Sequence, residues 1–115
     1  MFDVRDSNSM IADTPAVPYY AVIFTSVKSD DPKGYSAMAE MMYTLAAQQP
    51  GFLGVESARE EIGITVSYWK DPESIRQWKQ HTDHLVAQKQ GREQWYSQYK
   101  TRICRVERDY EFPVP

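Results

Sequence analysis

An α+β sandwich, one antiparallel four-stranded sheet with two helices on a single face, is the fold class this sequence predicts. Three observations lead to it. Strand-like and helix-like stretches follow one another in the order β-α-β-β-α-β. Both helical stretches have clear boundary residues, Asp-Asp-Pro-Lys-Gly before the first and Asp71-Pro72 before the second. The two middle strands are separated only by Glu60, Glu61, Ile62 and Gly63, short enough to demand a hairpin. Two β-α-β halves joined by a hairpin make the ferredoxin-like arrangement, in which the sheet is antiparallel.

Residues 1–18 carry Asp3, Asp6, Ser7, Asn8, Ser9, Asp13, Pro15 and Pro18. They read as a polar arm, poorly ordered or draped over a neighbour, with Met10 and Ile11 available for draping. The folded domain is expected over 19–112, followed by a short tail, 113–115. Tyr19 to Val27 (YYAVIFTSV) is the first strand, rich in β-branched and aromatic residues and apolar on both faces. The first helix follows from about Tyr35 to Gln48. Met38, Met41, Met42 and Leu45 lie at helical spacing and should face the sheet, and Pro50-Gly51 ends the helix.

Phe52 to Arg59 is strand two, and Gly63 is expected to supply a positive φ in the hairpin. Strand three covers Ile64 to Trp69. Asp71 caps helix two, with Pro72 at its first position and Glu73 in its first turn. Ile75, Trp78, Thr82 and Leu85 form its apolar stripe. Gly91 interrupts the helix, a last helical turn or two covers Arg92 to Tyr99, and strand four spans Thr101 to Tyr110.

Composition excludes several functions. The formal charge of −3 and the absence of a basic run argue against nucleic acid. Cys104 is the only cysteine, so neither an internal disulfide nor a cysteine-rich zinc site can form. No metal site is expected, because no further ligands cluster around His81 and His84. No apolar run approaches the roughly 18 residues of a membrane span, and the N-terminus lacks a signal-peptide pattern. A cytoplasmic protein is the simplest expectation.

The strands also predict a partner. Two helices cover one sheet face, so the other should alternate apolar and polar residues if it met water. Instead Tyr19, Ala21 and Ile23 share one face of strand one, and Tyr20, Val22 and Phe24 the other. Strand three repeats this with Ile64, Val66 and Tyr68 opposite Thr65, Ser67 and Trp69. A second copy of the sheet covers such a face economically, giving a homodimer. The N-terminal arm folding over the same face is the alternative.

These residues resemble the antibiotic biosynthesis monooxygenase superfamily. The matching pieces are YYAVIFTSV, LAAQQPGFLGVES, GITVSYWKDPESIRQWKQHTDHLVAQKQG and REQWYSQYKTRICRVERDY, together spanning residues 19–110. The resemblance implies a dimeric α/β barrel with a pocket between helices and sheet in each subunit. It also implies oxygenation of phenolic compounds without metal or flavin in some relatives, and haem binding in others. The haem branch uses an Asn on strand one, a Trp on helix two and a His ligand. Trp78 matches the Trp, but the His position falls on or near Gln88 and strand one has only Thr25 or Ser26 near the Asn position. Gln is a poor iron ligand, so no cofactor is expected.

The candidate site follows. Trp78 either packs the core or forms a pocket wall that stacks on a flat substrate. His81 and His84 are three residues apart, on one side of helix two. His84 is the candidate general base, since imidazole titrates near neutrality. Phe24 and Tyr68 are candidate walls, and Thr25, Ser26, His81 and Gln88 could hydrogen-bond a substrate oxygen. Arg102, Arg105, Glu107 and Arg108, with Glu56 and Arg59, are expected to pair on rims or across subunits. Cys104 is expected in a buried slot, as a small inert hydrophobe. The leading function is a cofactor-independent monooxygenase acting on a small aromatic or phenolic compound. The alternatives are a non-enzymatic small-molecule-binding or stress-related dimer, and a haem-binding or haem-degrading protein.

Overall fold

A computed structural model of the chain describes residues 10–30, 34–88 and 95–113, with backbone alone at 86–88. Its elements run β1 (Tyr19–Lys28), α1 (Tyr35–Ala47), β2 (Phe52–Arg59), β3 (Gly63–Trp69), α2 (Pro72–Gln88) and β4 (Tyr96–Val106). The sheet order is β2-β3-β1-β4, and every neighbouring pair is antiparallel. This is the predicted ferredoxin-like α+β fold.

Register sorts the side chains onto two faces, because successive strand residues point opposite ways. Tyr20 pairs with Trp69, Val22 with Ser67, Phe24 with Thr65 and Ser26 with Gly63. This face meets the helices. Trp69 stacks on Trp78 of α2, and the Tyr43 hydroxyl of α1 donates to Ser57 Oγ at 2.9 Å. The opposite face joins Ala21 to Tyr68, Ile23 to Val66 and Thr25 to Ile64.

The helix boundaries have local causes. Asp71 Oδ1 accepts hydrogen bonds from both the backbone N–H and the hydroxyl of Ser74, each at 2.8 Å, closing the first turn of α2. These bonds hold the Asp71 carboxyl below its ordinary pKa. Gly51, at φ 85°, follows α1, and a Cβ there would lie 2.7 Å from the Ser74 Cβ. Only glycine supports both that backbone and that approach.

Five expectations need correction. Tyr96 to Tyr99 are strand, not helix: they add to the free edge of β1, with Ser26 opposite Tyr99 and an irregularity at Val27/Lys28. Pairing to a waiting edge overrides a local sequence with no clear period. The strand also stops at Val106, opposite Tyr19, because the chain before Tyr19 is Val17-Pro18 and proline lacks an N–H for the ladder. Gly63 has no positive φ, and Gly34 and Gly51 do. Met38 is buried, but Met41 and Leu45 line a shallow outward groove with Ser36, Ala37, Glu40 and Thr44. Helix α1 is apolar on more than one side, so spacing alone could not select its inner face. Glu56 and Arg59 bind groups within the chain rather than rim charges: Glu56 accepts from Ala12 N and Tyr68, and Arg59 donates to Ser26.

Residues 10–18 of the arm cross one end of the open face. Ala12 N donates to Glu56 Oε2 at 2.8 Å, and the Ala12 methyl sits over Gly54. Tyr68 donates to Glu56 Oε1 at 2.7 Å, Tyr19 to Asp109 Oδ2 at 2.5 Å, and Thr14 Oγ1 to the Tyr19 hydroxyl at 3.0 Å. Burial pushes both phenols above their ordinary pKa, and the carboxylates they bind add to the shift. The sign follows directly. Both phenols are neutral in the folded and unfolded chain below about pH 10, so their contribution is complete there. Above it the unfolded chain ionises first, and stability falls. Thermal melts across about pH 9–11 should therefore show a steep alkaline decline that is shallower in Tyr68→Phe. An identical decline in the variant would remove Tyr68 from this role.

Candidate functional site

The helix-covered face is the best-built part of the molecule. At one end Trp69, fully buried, donates from Nε1 to Ser67 Oγ at 2.9 Å. Phe52 meets its ring edge-on with centroids 5.4 Å apart. Trp78 stacks on its other side at 5.9 Å, and His81 stacks on Trp78 at 5.8 Å. The i,i+3 spacing of Trp78 and His81 puts both on one helix side.

The second end is a cluster of phenyl and phenol rings. Phe24 meets Tyr96 at 5.3 Å and Tyr99 at 5.4 Å, and Tyr35 of α1 meets Tyr96 edge-on at 5.8 Å. Met38 and Trp95 form the buried core beneath, with Met42 packed against them. Burial pushes the Tyr96 phenol above its ordinary pKa, and Tyr35 adds to this while Arg59 opposes it. Tyr96 therefore stays protonated and keeps a hydrogen-bond donor.

The course of helix α2 sets how far His81 lies along the face. Helix α2 starts just after Trp69, at one end of β3, and β4 begins at Tyr96, opposite Lys28 at the other end of β1. The helix must travel the length of the sheet. Its nine steps from Pro72 to His81 amount to about 13 Å of rise. The strand path from the Tyr20–Trp69 row to the Ser26–Gly63 row is about 20 Å. His81 therefore lies part-way along the face, and its ring contact is with Trp78 of the Trp69 stack.

The predicted residues divide between the two faces. Phe24, Ser26, Trp78 and His81 belong to the helix-covered layer. Ser26 is buried and bonded to Arg59. Thr25 and Tyr68 lie on the opposite face, where Tyr68 binds Glu56. The side chain of Gln88 lies outside the described residues. His84 is exposed, whereas His81 is half-buried and its Nε2 is shielded from solvent with no hydrogen-bond partner among the described residues. A shielded ring nitrogen of this kind can make one hydrogen bond, as donor or acceptor according to its tautomer.

Sequence reasoning missed Arg59, Tyr35 and Tyr96. From sequence Arg59 reads as a rim charge and Tyr96 as part of a helix. The rings of WYSQY, at Trp95, Tyr96 and Tyr99, have no period of two, so the segment carries no strand signal of its own. Cys104 is half-buried on the open face. Among the described residues no group of three or more His, Cys, Asp or Glu side chains could hold a metal, and no helix is long and apolar enough to cross a membrane.

Comparison with known proteins agrees with this architecture. The family model for antibiotic biosynthesis monooxygenase matches residues 18–90. The uncharacterized protein YqjZ of Bacillus subtilis (strain 168) is 52% identical over 104 residues, covering 89% of this chain and 91% of its own. The crystal structure of PA3566 from Pseudomonas aeruginosa superposes with a TM-score of 0.63 at 14% identity, over 82% of this chain and 97% of that one. SnoaB from Streptomyces nogalater, a cofactor-independent oxygenase, superposes with a TM-score of 0.60 at 13% identity, over 84% and 99%. At such identities the two structures establish a shared fold.

Proposed function

The chain belongs to the antibiotic biosynthesis monooxygenase family, and from that premise we propose that it is a cofactor-independent monooxygenase, working as a homodimer on a small phenolic compound. The observation that carries this reading is the shielded His81 Nε2, without a hydrogen-bond partner among the described residues and stacked beside Trp78. As an acceptor it would take the hydrogen of a phenolic hydroxyl. SnoaB, of the same fold, is a cofactor-independent oxygenase, which supports the reaction class.

The chemistry is simple to balance. Imidazole removes the phenolic proton, and the resulting anion is rich enough in electrons to reduce O2. A ring carbon that bears two hydrogens in the keto tautomer loses both. It gains one oxygen atom as a carbonyl, and the second oxygen atom leaves with the two hydrogens as water. The substrate is oxidised and O2 reduced, with no other reductant. Trp78, stacked beside the imidazole, would shield the anion from water and so strengthen its interactions. His84, exposed one turn beyond His81, is the candidate to pass the proton to solvent, so the two histidines share the base role assigned from sequence to His84 alone.

Oxygen uptake with a panel of phenols and quinols tests this. His81→Gln should lower kcat by about 10²–10⁴, the usual range for a lost general base. His84→Gln should cost less than about tenfold, as a shuttle that solvent can replace. Full activity in His81→Gln would overturn the assignment. Ligand binding without oxygen uptake would point to a binding protein instead.

A further inference from the structure

The ring cluster at the Ser26 end has a cationic side that the proposed reaction does not use. Arg59, half-buried at the end of β2, donates from Nη2 to Ser26 Oγ and from Nη1 to the Ser26 carbonyl at 3.4 Å. Gly63 stands directly opposite Arg59, and a Cβ on it would collide with the guanidinium. The glycine that sequence alone assigns to a turn therefore makes the slot in which the guanidinium lies. The Arg59 guanidinium carbon is 5.5 Å from the centre of the Tyr35 ring, and Lys28 Nζ is 4.4 Å from the same centre.

Two cations thus gather on one ring. The ion pairs Arg76–Glu73 and Lys79–Asp83 both lie on the outer surface of α2. Ser26 engages two of the guanidinium nitrogens with a neutral hydroxyl and a carbonyl. Neither partner carries a full negative charge, and a guanidinium has five N–H donors in all. A partly desolvated cation in this position gains most from a planar anion that can meet its fork. The neighbouring surface is aromatic: Tyr35, Tyr96 and Phe24 lie ring against ring.

We propose that Arg59, with Lys28 at the rim, is an anion subsite, and that the ligand is an aromatic acid whose carboxylate docks on Arg59 while its ring packs against Phe24 and Tyr96. This rests on the reading of the helix-covered face as a site for an aromatic compound, and it narrows that compound to one carrying a carboxylate. Arg59 is then the residue that discriminates acid from neutral analogue, through charge-assisted hydrogen bonds a neutral amide cannot match.

Titration calorimetry of the full chain with salicylate and with its neutral amide, salicylamide, separates the possibilities. The wild-type chain should bind salicylate at least about tenfold more tightly than salicylamide, as a charge-assisted pair requires. Arg59→Gln should weaken salicylate by about tenfold or more and leave salicylamide within about twofold. Arg59→Lys, which keeps the charge and loses the fork, should fall between. Gly63→Ala, which fills the slot, should act like Arg59→Gln. Equal wild-type affinities for acid and amide overturn the proposal without any variant. So does unchanged salicylate binding in a folded Arg59→Gln. Oxygen uptake with neutral phenols but no preference for the acid would remove the subsite and leave the oxygenase reading standing. Salicylate held through Arg59 with no oxygen uptake from any phenol would do the reverse. Binding of neither probe would overturn the subsite and leave the oxygenase reading to the oxygen-uptake test.

Discussion

Trp69→Ala lowers the stability of the folded chain by about 3–5 kcal/mol, the range for deleting a large buried aromatic side chain. Trp69 is the largest fully buried side chain among the described residues. It links both layers: its backbone is part of β3, its ring lies between Phe52 and Trp78, and its Nε1 is bonded to Ser67. Alanine leaves a void that a sheet and a capped helix cannot close, and it leaves the Ser67 hydroxyl without its donor. A domain of this size has a total stability of about 5–15 kcal/mol, so the variant retains only part of its margin. Urea unfolding followed by circular dichroism measures the difference, provided the slope is unchanged. Trp78→Ala is the informative control. Trp78 is half-buried, so its loss should cost less, while its effect on His81 should be larger. A Trp69→Ala penalty below about 1.5 kcal/mol would show that the ring stack is not the anchor of this layer.

The parts of this fold legible in the sequence are those with local causes. Tyr19 to Val27 has the composition of a strand buried on both faces, and Asp71-Pro72 marks a helix start that the Ser74 hydrogen bonds confirm. The start of β4 was not legible, because Tyr96 to Lys100 becomes a strand only by adding to β1. Side-chain parity was partly legible. Adjacent strand residues point to opposite faces, so Thr25 could never share a wall with both Phe24 and Ser26. Placing Tyr68 opposite Trp78 needed only the same rule, once Trp69 was known to face α2. The Arg59 slot lay beyond reach. It depends on Gly63 standing across from Arg59 and next to Ser26, and that juxtaposition exists only after the register of three strands is set.

Ile64→Asp converts the proposed dimer into single chains, weakening association by at least about a hundredfold. The arm accounts for part of the open sheet face, where Ala12 and Thr14 reach Glu56 and Tyr19. Residues 10–18 do not cover the rest. Ile64 is 46% exposed, and Ile23, Val66 and Cys104 remain half-exposed beside it. This apolar strip is the surface proposed to meet its own copy. Because Ile64 is already largely exposed in one chain, an aspartate there costs the protomer little. In a two-fold interface the same position occurs twice, so two carboxylates would be desolvated together without a cation provided for either. Folding and association can therefore be read separately. Circular dichroism should be unchanged, while sedimentation at micromolar concentration should show the mass of two chains for the wild type and one for the variant. The arm and the partner also compete in an informative way: Glu56→Gln weakens the Ala12 and Tyr68 contacts and should leave the dimer intact, since the strip around Ile64 does not depend on them. A wild-type chain that sediments singly at that concentration would refute the interface, and the apolar strip would then face water without a partner.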